Sequence, residues 1–200
     1  MKLLIVGGSG TIGKKVTSYF SDTNEVITAG RTSGDITVDI SDSNSIKKMF
    51  EQTGKLDAII CIAGESKWAD FHELSEEDYY IGLKSKLMGQ VNLVRIGQNY
   101  LHPNGSITLS TGILADDPVV GSTSAAMVNG ALHSFIPAVV LEIKNGIRVN
   151  AVSLGMVEDS YERYAESFPG HHPIPMNKVV NAYSRSVNGR GNGKIIKIYS

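Results

Sequence analysis

Seven residues near the amino terminus, Gly7-Gly8-Ser9-Gly10-Thr11-Ile12-Gly13, have the composition of a turn that closes around an anion. They follow the apolar run Leu3 to Val6 directly and open a stretch of helical period, which places the glycines between a strand and a helix. In that setting Gly7 permits the tight turn and Gly10 lets the backbone approach a pyrophosphate. Gly13 allows helix to pack closely on strand, and the free N–H groups of the first helical turn face the anion. Ser9 and Thr11 add hydroxyl donors, and Ile12 completes the turn. An ordinary glycine-rich connection without a ligand is the alternative reading.

The end of the second apolar run decides which dinucleotide such a turn would take, because an acidic side chain there binds a ribose diol and repels a 2′-phosphate. That slot holds Gly30, and Arg31, Thr32 and Ser33 follow it. A guanidinium fork with two hydroxyls suits a 2′-phosphate, so NADP(H) is expected in preference to NAD(H). Two alternatives stay open: Arg31 as a solvated surface charge, and Asp35 folded back to the ribose. Asp39 and Ile40, after the third run, are expected beside the adenine.

Other chemistry is thinly represented. Cys61 is the sole cysteine, so no internal disulfide forms and no four-cysteine metal site is available. His171 and His172 are adjacent, a spacing that seldom puts two imidazoles on one metal, and no metal site is expected. Nineteen basic against 20 acidic residues give a net charge of −1, which provides no attraction for nucleic acid or an anionic membrane. A small-molecule partner fits better. The apolar runs are strand-sized, well below the ~18 to 20 residues of a membrane span, and no signal-type cleavage region is apparent, so the cytoplasm is expected.

The elements that must position these groups follow from the alternation of short apolar runs with longer helical stretches. Strands are expected at Lys2–Val6, Glu25–Ala29, Thr37–Asp39, Asp57–Ile62, Ser106–Ser110, Arg148–Ser153 and Lys194–Tyr199. Helices are expected at Thr11–Phe20, Asn44–Gln52, Glu76–Tyr100, Ser124–Lys144 and Asn177–Ser186. Pro137 should kink the fourth helix and Asn145-Gly146 should stop it. Several runs are apolar on consecutive positions, as in a sheet covered on both faces. The fold class expected is a Rossmann-type, doubly wound α/β domain over residues 1–200, with a mostly parallel seven-stranded sheet and helices on both faces. Residues 158–175, with three aromatics, two histidines and three prolines, form the candidate lid.

With the glycine turn, Val38-Asp39-Ile40, Ala63-Gly64 after the fourth strand and Asn150-Ala151-Val152-Ser153-Leu154-Gly155 at the sixth, the chain resembles the short-chain dehydrogenases over nearly its whole length. The resemblance implies that Ala63, Gly64, Leu154 and Gly155 contact the cofactor. Family members use a serine, a tyrosine, a lysine four residues later and an asparagine. Aligned through Asn129-Gly130-Ala131-Leu132, the chain has Ala125 at the tyrosine, Asn129 at the lysine and Gly112 at the serine, with Lys86 at the asparagine. Ser110 and Thr111 share the strand end with Gly112 and are candidates to bind a carbonyl. Lys86 is the candidate substitute acid, with a solvated or salt-bridged helix lysine as the plainer reading. Tyr161, Tyr164 and Tyr183 offer phenols that could swing toward the nicotinamide, but tyrosines near a lid or on a late helix read as packing residues.

Two functions are compatible with this pattern. One is an NADP(H)-dependent oxidoreductase acting on a small carbonyl or alcohol with a non-standard proton donor. The other is a non-enzymatic NADP(H)-binding sensor or regulatory protein. The resemblance also implies a homodimer or homotetramer joined through the helices 76–100 and 124–144, with Met127, Phe135 and Val139 as contacts or, as for most stripes at helical spacing, simply core.

Overall fold

The computed structural model describes residues 1–199. Its strands are β1 (Lys2–Val6), β2 (Glu25–Gly30), β3 (Ile36–Thr37), β4 (Leu56–Cys61), β5 (Leu101–Gly112), β6 (Arg148–Leu154) and β7 (Ile195–Ile198). They form one seven-stranded sheet in the order β3-β2-β1-β4-β5-β6-β7. Every pairing is parallel, from Leu3 opposite Val26 on one side of β1 and Ala58 on the other to Ser153 opposite Lys197 at the far edge. The fold is the doubly wound Rossmann type. The chain runs outward from β1 to β3 and then returns to lay down β4, so the order reverses between β1 and β4 and leaves a crevice at the carboxyl ends of the strands.

The helices are α1 (Thr11–Ser21), α2 (Ser43–Thr53), α3 (Glu76–Gly82), α4 (Gly89–Gly97), α5 (Thr123–Val139), α6 (Tyr161–Tyr164) and α7 (Met176–Asn188). Successive strand residues point to opposite faces, which sorts the core into two layers. Leu3, Ile5 and Ile60 pack with Val16 and Phe20 of α1 and Tyr183 of α7. Leu4, Val6 and Ile59 pack with Phe50 of α2, Leu93 of α4 and Ile136 of α5. Each of these side chains, fully removed from water, contributes roughly 1.5 to 3 kcal/mol. Capping fixes the helix starts: Asp42 accepts from the Asn44 N–H, and Ser75 and Asp78 form a reciprocal capping box on α3.

The structure departs from the sequence expectation in three places. The expected helix 76–100 is α3 and α4 joined by a π-helical segment, Leu83–Met88, an inserted turn of the kind found at functional sites. The fourth expected helix ends at Val139, and Pro137 sits in its last turn. Asn145 and Gly146 instead form a left-handed turn, φ 60° and 69°, leading into β6. Of the three expected intersubunit contacts, Phe135 and Val139 pack on the core, while Met127 is exposed. No helix among the described residues is long and apolar enough to cross a membrane.

Candidate functional site

The glycine turn occupies the carboxyl end of β1, at the switch point. Gly7 has φ +87°, and a Cβ there would lie 2.9 Å from the backbone of Ile62; a Cβ on Gly13 would lie 2.0 Å from the Gly7 carbonyl oxygen. Packing alone therefore requires both glycines. Gly10 differs, because a Cβ on it would meet nothing closer than the Gly7 oxygen at 3.5 Å. The protein leaves Gly10 bare on a side it does not itself fill, as a ligand approaching the backbone would demand. Gly10 also caps α1 without a side-chain hydrogen bond, and the first turn carries no acidic residue to compete with an anion.

The β2 end lies beside this turn. Ser9 Oγ and Ser33 Oγ are hydrogen-bonded at 2.7 Å, which ties the two loops together. Arg31 donates to Glu65 at 2.9 Å, reaching from the loop after β2 to the loop after β4 and so across the end of β1, and Glu65 holds the guanidinium pKa above its usual value. Thr32 is exposed. The Asp35 carboxylate accepts from the N–H and hydroxyl of Thr28, both at 2.8 Å, which lowers its pKa and commits it to β2 rather than to a ribose. Asp39 closes its own turn on Ser41, and the Ile40 side chain is buried against Gly89.

Beyond the turn lies a cavity of about 200 Å³. One wall is Ile12, Gly112, Leu154 and Gly155; the other is Trp68 with Tyr164 and Phe168 of the 158–175 segment. The Trp68 ring centroid lies 6.2 Å from that of Tyr164 and 6.3 Å from that of Phe168. Among the described residues Ser160 is the other hydroxyl-bearing one that lines it, and no charged side chain does.

Comparison with known proteins places this architecture. A family model described as Enoyl-(Acyl carrier protein) reductase matches residues 15–181. The chain belongs to the short-chain dehydrogenase/reductase family. It is similar to the crystal structure of the protein lin1944 from Listeria innocua, with 44% identity, complete coverage of both chains and a TM-score of 0.97. A small-chain dehydrogenase solved in complex with NADPH is 25% identical, with 100% of this chain and 96% of that one covered and a TM-score of 0.88. Among curated relatives, oxidoreductase UcpA of Escherichia coli K12 is 26% identical over 119 residues, 56% of this chain and 44% of UcpA. The chain thus spans less than half the length of that relative. The 3-oxoacyl-[acyl-carrier-protein] reductase FabG of Thermotoga maritima is 24% identical over 180 residues, 78% of this chain and 73% of FabG.

Within this short-chain dehydrogenase/reductase the hydroxyls of Ser110 and Thr111 are engaged elsewhere. Ser110 Oγ bonds to the Cys61 carbonyl at 2.5 Å and to Tyr183 Oη at 2.6 Å. Thr111 Oγ1 bonds to His133 Nε2 at 2.9 Å. Gly112, between them and the loop, is on the cavity wall, whereas neither Ser110 nor Thr111 lines the cavity. Ala125 is buried beside Ile113, Leu114, Met156 and Phe168. Asn129 donates to the Ala125 carbonyl at 2.8 Å, and its Oδ1 is buried without a partner among the described residues, as is Ser124 Oγ.

Lys86 lies in the π-helical segment, its side chain running along Gly64, where a glycine Cβ would be 2.9 Å from the Lys86 Cα. Burial lowers its pKa, and the one charge partner felt there is the Cys61 thiol, itself pushed up to about 11 by burial and so neutral near pH 7. Ala63 packs on the core, its carbonyl taking the Cys61 thiol at 3.7 Å. His171 faces Asp117 at 3.4 Å, and no cluster of three metal-ligating side chains occurs among the described residues. Trp68, Ile113, Met156, Tyr164 and Phe168 were not singled out as site residues from sequence: loop aromatics carry no periodicity, and their convergence exists only in three dimensions.

Proposed function

We propose that this chain is an NADP(H)-dependent oxidoreductase of the short-chain type, acting on a small, apolar carbonyl compound or alcohol with a proton donor other than the family's tyrosine. The observation that carries the reading is the continuity of the glycine turn with the cavity: Gly10 is bare without a packing reason, and Ile12, two residues on, forms a cavity wall. The residues that would hold the cofactor are Gly7, Ser9, Gly10, Thr11, Ile12 and Gly13 on the pyrophosphate side, with Arg31, Thr32 and Ser33 toward the 2′-phosphate. Asp39 and Ile40 would flank the adenine, and Ala63, Gly64, Leu154 and Gly155 would border the nicotinamide end. When bound, NADPH supplies a hydride.

The chain's own task is to exclude water, orient the carbonyl and handle the charge left on its oxygen. Residues 158–175 act as the lid, since Ser160, Tyr164 and Phe168 line the cavity from that segment. Of the three residues singled out as catalytic from sequence, this reading keeps Lys86, whose side chain runs along the Gly64 loop and whose pKa is lowered by burial. Ser110 and Thr111 serve the wall behind the cavity through Tyr183 and His133. The second reading, an NADP(H)-binding sensor without turnover, is favoured by one observation: a buried methyl group, Ala125, stands where the resemblance sets the family's acid. Screening purified protein with NADPH against aldehydes, ketones and quinones separates the two. Oxidation above the uncatalysed rate supports the enzyme, and tight binding with none across the panel supports the sensor.

A further inference from the structure

Of the groups that line the cavity, Tyr164 alone combines an acidic hydroxyl with a route to solvent. Its residue borders the apolar cavity on one side and, on the other, an open groove of about 580 Å³ that includes Glu65, Ser66, Lys67, Arg163 and Ser167. The hydroxyls of Tyr19, Tyr79, Tyr80, Tyr183 and Tyr199 are all bonded to protein groups. Tyr100, Tyr161 and Tyr164 have no such partner among the described residues, and of these Tyr164 lines the cavity. Arg163 stands over its ring, 5.2 Å from the centroid. Trp68 lies beside it, and Phe168 packs on Trp68 in turn. Ser160, the other hydroxyl, is an alcohol and a far weaker acid than a phenol.

We propose that Tyr164, carried by the 158–175 segment, is the proton donor to the substrate carbonyl, in place of the tyrosine that this chain lacks on α5. The inference rests on the oxidoreductase reading above. In the reduction, a hydride adds to the carbonyl carbon, the C=O π pair moves to the oxygen, and that oxygen takes the phenolic proton of Tyr164. Water in the Lys67–Arg163 groove returns a proton to the phenolate, and Arg163 meets the transient negative charge. The net change is carbonyl plus NADPH plus one proton giving alcohol plus NADP⁺. Because the acid sits on the segment that roofs the cavity, closure and proton supply are one event.

The test begins without cofactor. Benzaldehyde labelled with ¹³C at the carbonyl is added to wild type and Tyr164→Phe, with the fluorescence of Trp68, the sole tryptophan, reporting occupancy and difference infrared reporting the C=O stretch. A hydrogen bond from Tyr164 shifts the stretch to lower frequency in wild type, and the shift disappears in Tyr164→Phe at equal occupancy. With NADPH, Tyr164→Phe lowers kcat for the aldehyde by ~10² to 10⁴. The loss is much smaller for a quinone, whose reduced oxygen is a phenolate and needs no enzymic acid, whereas damage to the segment slows both substrates alike. A shift that persists in Tyr164→Phe, equal losses for both substrates, or no occupancy by the aldehyde overturns the assignment. A wild-type shift without any NADPH oxidation overturns the oxidoreductase reading and, with it, proton donation, leaving Tyr164 as a carbonyl-binding hydroxyl.

Discussion

In the proposed reading cofactor choice turns on Arg31, which is already paired with Glu65 at 2.9 Å, both side chains more than half exposed. An exposed pair of this kind is weak, so an incoming 2′-phosphate displaces the carboxylate at small cost. Arg31→Ala is expected to weaken NADPH by about 10- to 100-fold, the loss of one charge-assisted contact worth roughly 1.5 to 3 kcal/mol, and to leave NADH unchanged. Glu65→Gln should tighten NADPH by a few fold. Calorimetry on both cofactors checks each expectation, and an equal effect on NADH would remove Arg31 from the 2′-phosphate. Tyr183 behaves differently: it is fully buried and bonded to Ser110, with desolvation raising its pKa. Tyr183→Phe should cost about 1 to 2 kcal/mol in urea unfolding, because a buried hydroxyl loses its partner. The glycine turn and Arg31 were legible from the sequence because local spacing and a strand end define them. Ser110 and Thr111 were legible only as belonging to a strand end; which face each hydroxyl takes depends on the register of β5 against its neighbours.

At the scale of elements, the turn between β1 and α1 separates folding from binding by two glycines three residues apart. Gly13→Ala places a methyl group 2.0 Å from a backbone oxygen and is expected to cost at least ~3 kcal/mol of stability. Gly10→Ala, with its nearest contact at 3.5 Å, should keep the wild-type Tm within a degree or two yet weaken NADPH by at least about tenfold, ~1.4 kcal/mol. A Gly10→Ala protein that binds NADPH normally would mean that no ligand approaches there. A second element-level device joins β7 to the loop after β5. Asp116 accepts from Lys197 at 2.8 Å and from Tyr199, and those bonds hold its pKa below the usual carboxylate value. A depressed folded pKa gives stability that is present above the unfolded value of about 3.9 and lost as pH falls through the folded one. Asp116→Asn should therefore flatten the acid limb of the stability curve below about pH 4, as followed by circular dichroism. The strands were readable as consecutive apolar runs, but the helix 76–100 concealed its π-helical turn, since Leu83–Met88 contains no proline or glycine to mark a break in an ordinary helix.

Over the whole molecule, the parallel sheet gathers loops from six strand ends along one edge, and both the glycine turn and the cavity lie there. The fold class followed from the alternation of elements, whereas the cavity did not, because Trp68, Met156 and Phe168 meet only when β4, β6 and the 158–175 segment are assembled. The expected dimer or tetramer is tested at Met127, the expected contact that is exposed: if the chain self-associates there, Met127→Glu shifts the mass in light scattering toward the monomer. The most direct test of the account is calorimetric titration of the purified chain with NADPH and, separately, NADH. Saturable binding of NADPH, tighter than that of NADH, is the predicted result; no binding of either cofactor would contradict the assignment of the glycine turn and every functional step built on it.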